Sequence, residues 1–207
     1  MKLLNHLDAF ITEETRLFGE ILLSRSPVSN HFLATHRKDG DCHHDMLERL
    51  TTVQEVRDLA KFDEHGEYRP LKTAPSLKSG WLIEESDIES FYLKIDAIYP
   101  AGFAGTVKYL EKAVDPVPLR RTLDRQTGMY QFAKNITDTQ ANQIMRDTCA
   151  KGCLRKIAWP LDEQCAVSHL PEPGRKIPII CLEACTFAVS EARRLAREAY
   201  DKANALS

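Results

Sequence analysis

Cys149-Ala-Lys-Gly-Cys153-Leu-Arg-Lys-Ile-Ala-Trp159 and Ile177-Pro-Ile-Ile-Cys181-Leu-Glu-Ala-Cys185 each hold a cysteine pair with a three-residue gap. Four thiolates in two tight pairs are the donor set of an iron-sulfur cluster or of a zinc ion. Disulfides are the competing use, and they belong to oxidising compartments. The chain starts at Met1 and meets Asp8, Glu13 and Glu14 early. The expectation is therefore no secretory leader, a cytoplasmic setting, and cysteines that act as ligands.

The residues around the pairs sharpen this reading. Gly152 stands where a helix ending near Cys149 needs a left-handed residue, so Cys149 and Cys153 are expected to flank a helix end and its reversal. Cys181 and Cys185 are expected to straddle the start of the last helix, from near Leu182 to about Ala203, where unpaired amide N–H groups favour thiolate. An oxidised [4Fe-4S] centre on four thiolates is negative, and Arg155, Lys156, Arg175 and Lys176 lie close enough in sequence to offset it. Zinc stays open as the alternative, although two-residue gaps are more typical of its knuckles. Cys165, between the pairs, is a fifth candidate if the centre is a two-iron cluster with another ligand set, and otherwise reads as a spectator packed like a small apolar residue. Trp159 either shields the centre from water or simply packs at a helix end before Pro160.

Upstream, Leu3, Leu7, Phe10, Ile11, Leu17 and Phe18 recur at roughly helical spacing, with Glu13, Glu14 and Arg16 on the polar face and Gly19 at the end. Glu20 to Arg25 and Asn30 to His36 read as strands of a hairpin turning at Ser26-Pro27, and Lys38-Asp39-Gly40-Asp41 marks a further turn. Val53, Val56, Leu59 and Ala60 belong to a second helix that stops before Gly66 and Pro70. Ser86-Asp87-Ile88-Glu89 fits a capping box, and Ile88, Phe91, Tyr92, Ile95 and Ile98 carry a helix on to Pro100. Asp115-Pro116-Val117-Pro118 breaks the pattern and marks a boundary between residues 1–118 and 119–207. Beyond it, Gly128 to Ile136 reads as a strand, and Thr137 with Gln140 caps a helix running through Ile144 and Met145 to about Cys149. The fold class is α+β: an N-terminal mixed α/β region followed by a mostly helical module carrying the cysteines.

The cysteine segments, with the long Ala/Arg/Glu helix after them, resemble the [4Fe-4S] domain found fused to class II sirohydrochlorin cobaltochelatase-type proteins. Tyr68-Arg69-Pro70-Leu71, Gly80-Trp81, Ile98-Tyr99-Pro100 and Arg125-Gln126-Thr127-Gly128-Met129-Tyr130 look like the stabilising region that precedes that domain. The likeness spans about Gly19 to Arg197. It implies that Cys149, Cys153, Cys181 and Cys185 ligate a [4Fe-4S] cluster, and that the chelatase domain itself is absent from this chain. What it adds is an accessory role beside a tetrapyrrole chelatase.

The rest of the sequence narrows the function further. The 207 residues are 43% hydrophobic and 28% charged with a net charge of -2, enough for one large or two small cores and without a charge signal for nucleic acid. No apolar run approaches the roughly 20 residues needed to cross a bilayer. His36, Cys42, His43 and His44 beside Asp39, Asp41 and Asp45 match no standard metal spacing and read as a solvated loop. Arg125-Gln126-Thr127-Gly128, with Arg120 and Arg121 adding charge just upstream, either places a guanidinium near an anionic ligand or the cluster or, the favoured reading, holds a structural arginine on loop carbonyls. No phosphate loop, acid-base dyad or nucleophile elbow occurs. Four cysteines would fill all four irons and leave none open for Lewis-acid chemistry, so the expected work is electron transfer or redox sensing with an unknown partner. The competing class is a zinc-stabilised, non-redox interaction module.

Overall fold

Ile21 and Leu23 are fully buried in strand β2 (Ile21–Arg25), while Leu22 and Ser24 between them are only half covered. That period of two is what a strand with one core face requires. The computed structural model describes residues 2–12, 14–69, 71–113, 119–149, 152–157, 176–177, 179–181 and 184–205. Strand β2 pairs antiparallel with β1 (Arg16–Phe18) and with β3 (Phe32–His36), the latter in register from Ile21↔His36 to Arg25↔Phe32. The hairpin expected at Ser26-Pro27 is thus present. Strand β3 also pairs antiparallel with β5 (Trp81–Glu85), β4 (Glu48–Arg49) runs parallel to β5, and β7 (Lys176–Ile177) runs parallel to β1. The sheet order is β4-β5-β3-β2-β1-β7.

Two compact units divide the described residues: 2–113 together with 176–177 and 179, and 119–157 together with 180–205. Strand β7 returns to the first unit late in the sequence, an excursion that a single cut at residue 118 does not contain. The Asp115–Pro118 break itself lies outside the described residues. The α+β class holds.

In the first unit, helix α1 (Lys2–Phe10) is shorter than its apolar spacing suggests. Leu17 and Phe18 fit the helical period, but Arg16–Phe18 is strand instead, because pairing with Ile21–Leu23 satisfies its backbone within the sheet. Gly19 makes the β1–β2 turn at φ +65°, and a Cβ there would sit 2.6 Å from the Tyr99 ring. Helix α2 (Val53–Lys61) starts at a capping box of Thr52 and Glu55. Helix α3 (Ile88–Ile98) forms as expected, although its cap is Asp87, whose carboxylate accepts from the Ser90 N–H at 2.8 Å, and not Ser86. After Pro100 the chain forms a further helix, α4 (Gly102–Leu110), entered through Ala101 at φ 53°, which the sequence reading does not anticipate. Phe18, Tyr99 and Phe103 meet edge to face, with Phe18 ring centroids 5.6 Å from Tyr99 and 6.1 Å from Phe103.

Glu20 lies in the same turn, almost wholly buried. Its carboxylate accepts from the backbone N–H groups of Ser76 and Leu77 at 2.9 and 2.8 Å, and its own N–H donates to the Tyr99 hydroxyl at 2.9 Å. Arg37 Nη2 lies 3.3 Å away and His36 Nε2 3.9 Å away. Since His36 Nδ1 accepts from the Lys38 N–H, the proton of a neutral ring is on Nε2, facing the carboxylate from just beyond hydrogen-bond reach. Burial pushes the carboxyl up, but the His36 ring, the two backbone donors and Arg37 outweigh it and hold it at about 2.

The second unit is built on helices. Helix α5 (Leu119–Leu123), a 3-10 run over Gly128–Asn135, helix α6 (Asp138–Ile144) and helix α7 (Thr186–Ala205) enclose a core of Leu119, Leu123, Ala133, Ile136, Ile144 and Val189, among others. The strand expected over Gly128 to Ile136 is not formed. Ala133 and Ile136 are buried and Tyr130 packs against them, a spacing of three that suits a 3-10 turn and not a strand. Ala188, Ala192 and Ala196 line the buried side of α7, and their small side chains let the neighbouring 3-10 run approach closely.

Glu20→Gln should lower stability by about 2 kcal/mol near neutral pH, less than the full shift would give because half-exposed Arg37 is screened by solvent. The folded carboxyl titrates below the unfolded one, so this contribution is complete above about pH 4.5 and fades as pH falls toward about 2. Urea unfolding of parent and variant across that range checks it: the stability gap should be constant at higher pH and narrow steadily below about pH 4.5.

Candidate metal centre

Thr137 caps α6 as its sequence predicts: its hydroxyl accepts from the Gln140 N–H at 3.2 Å and the Gln140 side chain accepts from the Thr137 N–H at 2.8 Å. The helix packs Ala141, Ile144 and Met145 into the core and then widens into a π turn over Met145–Cys149. A π turn changes the direction of the side chains after it, and such turns gather at functional sites. It brings Cys149 to the end of the helix, half-buried.

Gly152 does not take the left-handed conformation expected of it, since its φ lies outside the positive range. Gly152 is instead helical itself. Cys153 follows, half-buried, and its sulfur accepts from the Arg155 backbone N–H at 3.4 Å. Arg155 opens strand β6 (Arg155–Ile157), which pairs with β8 (Ile179–Cys181) in a two-stranded sheet. Its guanidinium donates to the Ile180 carbonyl at 3.5 Å.

Cys181 therefore ends a strand and does not sit on the last helix, which begins at Thr186 and runs to Ala205. Strand β8 turns Ile180 inward and leaves Cys181 half-buried against the core of the second unit. Cys185 is exposed and stands just before α7, where its carbonyl accepts from the Val189 N–H at 3.0 Å. It occupies the cap position, so the positive end of the helix dipole acts on Cys185 more directly than on Cys181.

All four paired cysteines lie in the second unit and feel one another. Burial pushes the Cys149 thiol up to about 12, and the neighbouring Cys181, Cys185 and Cys153 sulfurs push in the same direction. Among the described residues no three His, Cys, Asp or Glu side chains are drawn together as ligands of one ion. The four sulfurs thus share a neighbourhood without converging on one point, and a cubane takes each thiolate at a separate iron. Four soft donors that repel each other as anions fit a group that brings positive iron with it.

The other expectations divide. Cys42, His43 and His44 are exposed as a solvated loop requires, but His36 and Asp39 at its start are buried, and Asp39 accepts from the Gly80 N–H at 2.6 Å. Arg120 pairs with Asp124 on the surface of α5. Trp159, Cys165, Arg175 and the Pro171–Gly174 connection lie outside the described residues. The Arg155 contacts and the π turn carry no sequence signal, since neither depends on a motif.

In metal-free protein at about pH 8, alkylation should separate these thiols. Exposed Cys185 should react with iodoacetamide at least tenfold faster than Cys149, whose thiolate burial and its neighbours suppress. Peptide mass spectrometry over a time course measures both rates.

Residues 4–112 match the family model of the DR2241 stabilising domain, and residues 111–194 match that of a 4Fe-4S iron-sulfur cluster binding domain. Among solved structures, DR2241 from Deinococcus radiodurans is described as a multi-domain protein with structural similarity to chelatases and two additional novel domains. It superposes with a TM-score of 0.76 at 26% identity, over 95% of this chain and 40% of that one. The chain spans well under two thirds of that protein's length. No curated protein matches it. With the first model covering more than half of its residues and the second running on from there through both cysteine pairs, the chain belongs to the DR2241 stabilising-domain family and is a [4Fe-4S] cluster-binding protein.

Proposed function

We propose that Cys149, Cys153, Cys181 and Cys185 are the four cluster ligands and that the chain works as an electron carrier or redox sensor, accessory to a separate tetrapyrrole chelatase. The observation that carries this reading is that the four cysteines lie in one unit, with Cys181, Cys185 and Cys153 near enough to act on the half-buried Cys149 thiol. When bound, the cluster supplies a one-electron couple. The chain's own part is to hold the sulfurs, to exclude water from Cys149, Cys153 and Cys181 by half-burying them, and to leave Cys185 at the surface. An exposed ligand gives an electron a short path to a partner. Four cysteine ligands leave no iron open, which favours electron transfer over Lewis-acid catalysis.

The chelatase link rests on the multi-domain relative, whose description notes chelatase similarity and of which this chain covers 40%. Cysteines kept as metal ligands suit a reducing, cytoplasmic setting. No helix among the described residues is long and apolar enough to cross a membrane.

Anaerobic purification with metal analysis tests the reading: iron and acid-labile sulfide should each reach about four per chain. Zinc alone from iron-replete cells would overturn it in favour of a structural zinc module. Cys149→Ala and Cys181→Ala should each remove most of the visible absorbance, while Cys42→Ser and Cys165→Ser should leave it nearly unchanged. Loss of the spectrum in Cys165→Ser would mean a different ligand set.

A further inference from the structure

Arg155 reaches the sulfur site twice. Its backbone N–H donates to Cys153 Sγ at 3.4 Å, and its guanidinium donates to the carbonyl of Ile180, the residue before Cys181, at 3.5 Å. One contact ends on a sulfur of the first pair, and the other on the peptide unit that leads into the second pair. The first is local, two residues apart in the chain, and the second follows from the pairing of β6 with β8, which brings Arg155 beside the Ile179–Cys181 segment.

These contacts have different chemical consequences. An N–H donated to a thiolate sulfur withdraws electron density from it and stabilises the more negative state of whatever it ligates. A guanidinium stays protonated at any working pH, and anchoring it on a carbonyl keeps that charge from swinging into solvent. A half-buried position strengthens its field relative to a surface lysine, because less water screens it. Reduction adds one negative charge to a centre that four thiolates already make negative, so a fixed cation beside it favours the reduced form.

We propose that Arg155 is a positioning residue of the metal centre: it fixes Cys153 through its backbone N–H and, held on the Ile180 carbonyl, places a permanent positive charge that raises the cluster's reduction potential. This rests on the four-cysteine reading of the centre and assigns the residue that tunes it. Substitution leaves the backbone donor in place, so the side-chain charge can be varied alone. Lysine keeps the charge and one donor; glutamine keeps a donor and loses the charge.

The experiment uses the full chain, reconstituted anaerobically with ferrous iron and sulfide, as wild type, Arg155→Lys and Arg155→Gln. Iron and sulfide are counted first, and the midpoint potential is then read by spectroelectrochemistry. Arg155→Gln should hold the cluster with a reduction equilibrium constant about threefold to tenfold lower, up to about 59 mV for a one-electron couple, and Arg155→Lys should stay close to wild type. A glutamine variant with full cluster and unchanged potential would overturn the proposal. So would a lysine variant shifted as far as glutamine, since charge would then not be the cause. If the glutamine variant cannot retain the cluster, Arg155→Lys decides: it must load fully at the wild-type potential, and its failure to load overturns the proposal. A wild-type chain that takes up no iron and sulfide would sink the cluster reading itself, a result distinct from any of these.

Discussion

Three half-buried sulfurs and one exposed one lie in the same unit, and as thiolates they repel one another. Without a metal that repulsion adds to desolvation and keeps Cys149 a neutral thiol far above the usual cysteine range. The surrounding structure eases the charge by small local means: an amide N–H on Cys153, the positive end of α7 at Cys185, and the guanidinium of Arg155 beside the strand that ends in Cys181. None of these is worth as much as iron. Ligation requires the thiols to lose their protons, so metal binding, proton release and ordering of this region are thermodynamically one process.

The first unit meets the same difficulty with protein atoms alone. Glu20 is a buried carboxylate, but two backbone N–H groups, Arg37 and the nearby His36 ring hold it charged. Its position depends on Gly19, where any side chain would strike the Tyr99 ring, and on Tyr99, whose hydroxyl accepts from the Glu20 N–H. Lys94 is a second buried charge treated alike, paired with Glu85 and donating to the Leu50 carbonyl at 3.0 Å. Glu20 and Lys94, two buried charges of this unit, are thus matched within it. In the second unit the compensation is incomplete until a cofactor provides it.

That contrast bears on function. On the proposed ligand set, sulfurs that come from a π turn, a loop, a strand end and the approach to a helix suit a cofactor that ties separate segments together. Cys149 and Cys153 are near in sequence, as are Cys181 and Cys185, but more than thirty residues separate the first cysteine of one pair from that of the other. Bridging such a separation makes the centre a cross-link as well as an electron store.

The sequence by itself determined the elements whose signal is local. The α2 helix, the α6 cap, the β2–β3 hairpin and the α3 stripe depend on hydrogen bonds and spacings within a few residues, and all formed, with α3 capped one residue later than expected. Two paired cysteine spacings also sufficed to expect a [4Fe-4S] cluster, because thiolate chemistry depends on residue type and number before it depends on position. Tertiary structure decided the rest. Arg16–Phe18 became a strand because neighbouring strands could satisfy its backbone, and Gly128–Asn135 became a 3-10 run because the core takes every third residue there. The π turn before Cys149, the strand ending at Cys181 and the two contacts of Arg155 are likewise invisible in the sequence. The strand ending at Cys181 and the Arg155 guanidinium contact depend on where a distant segment comes to lie, and no spacing within one segment encodes that.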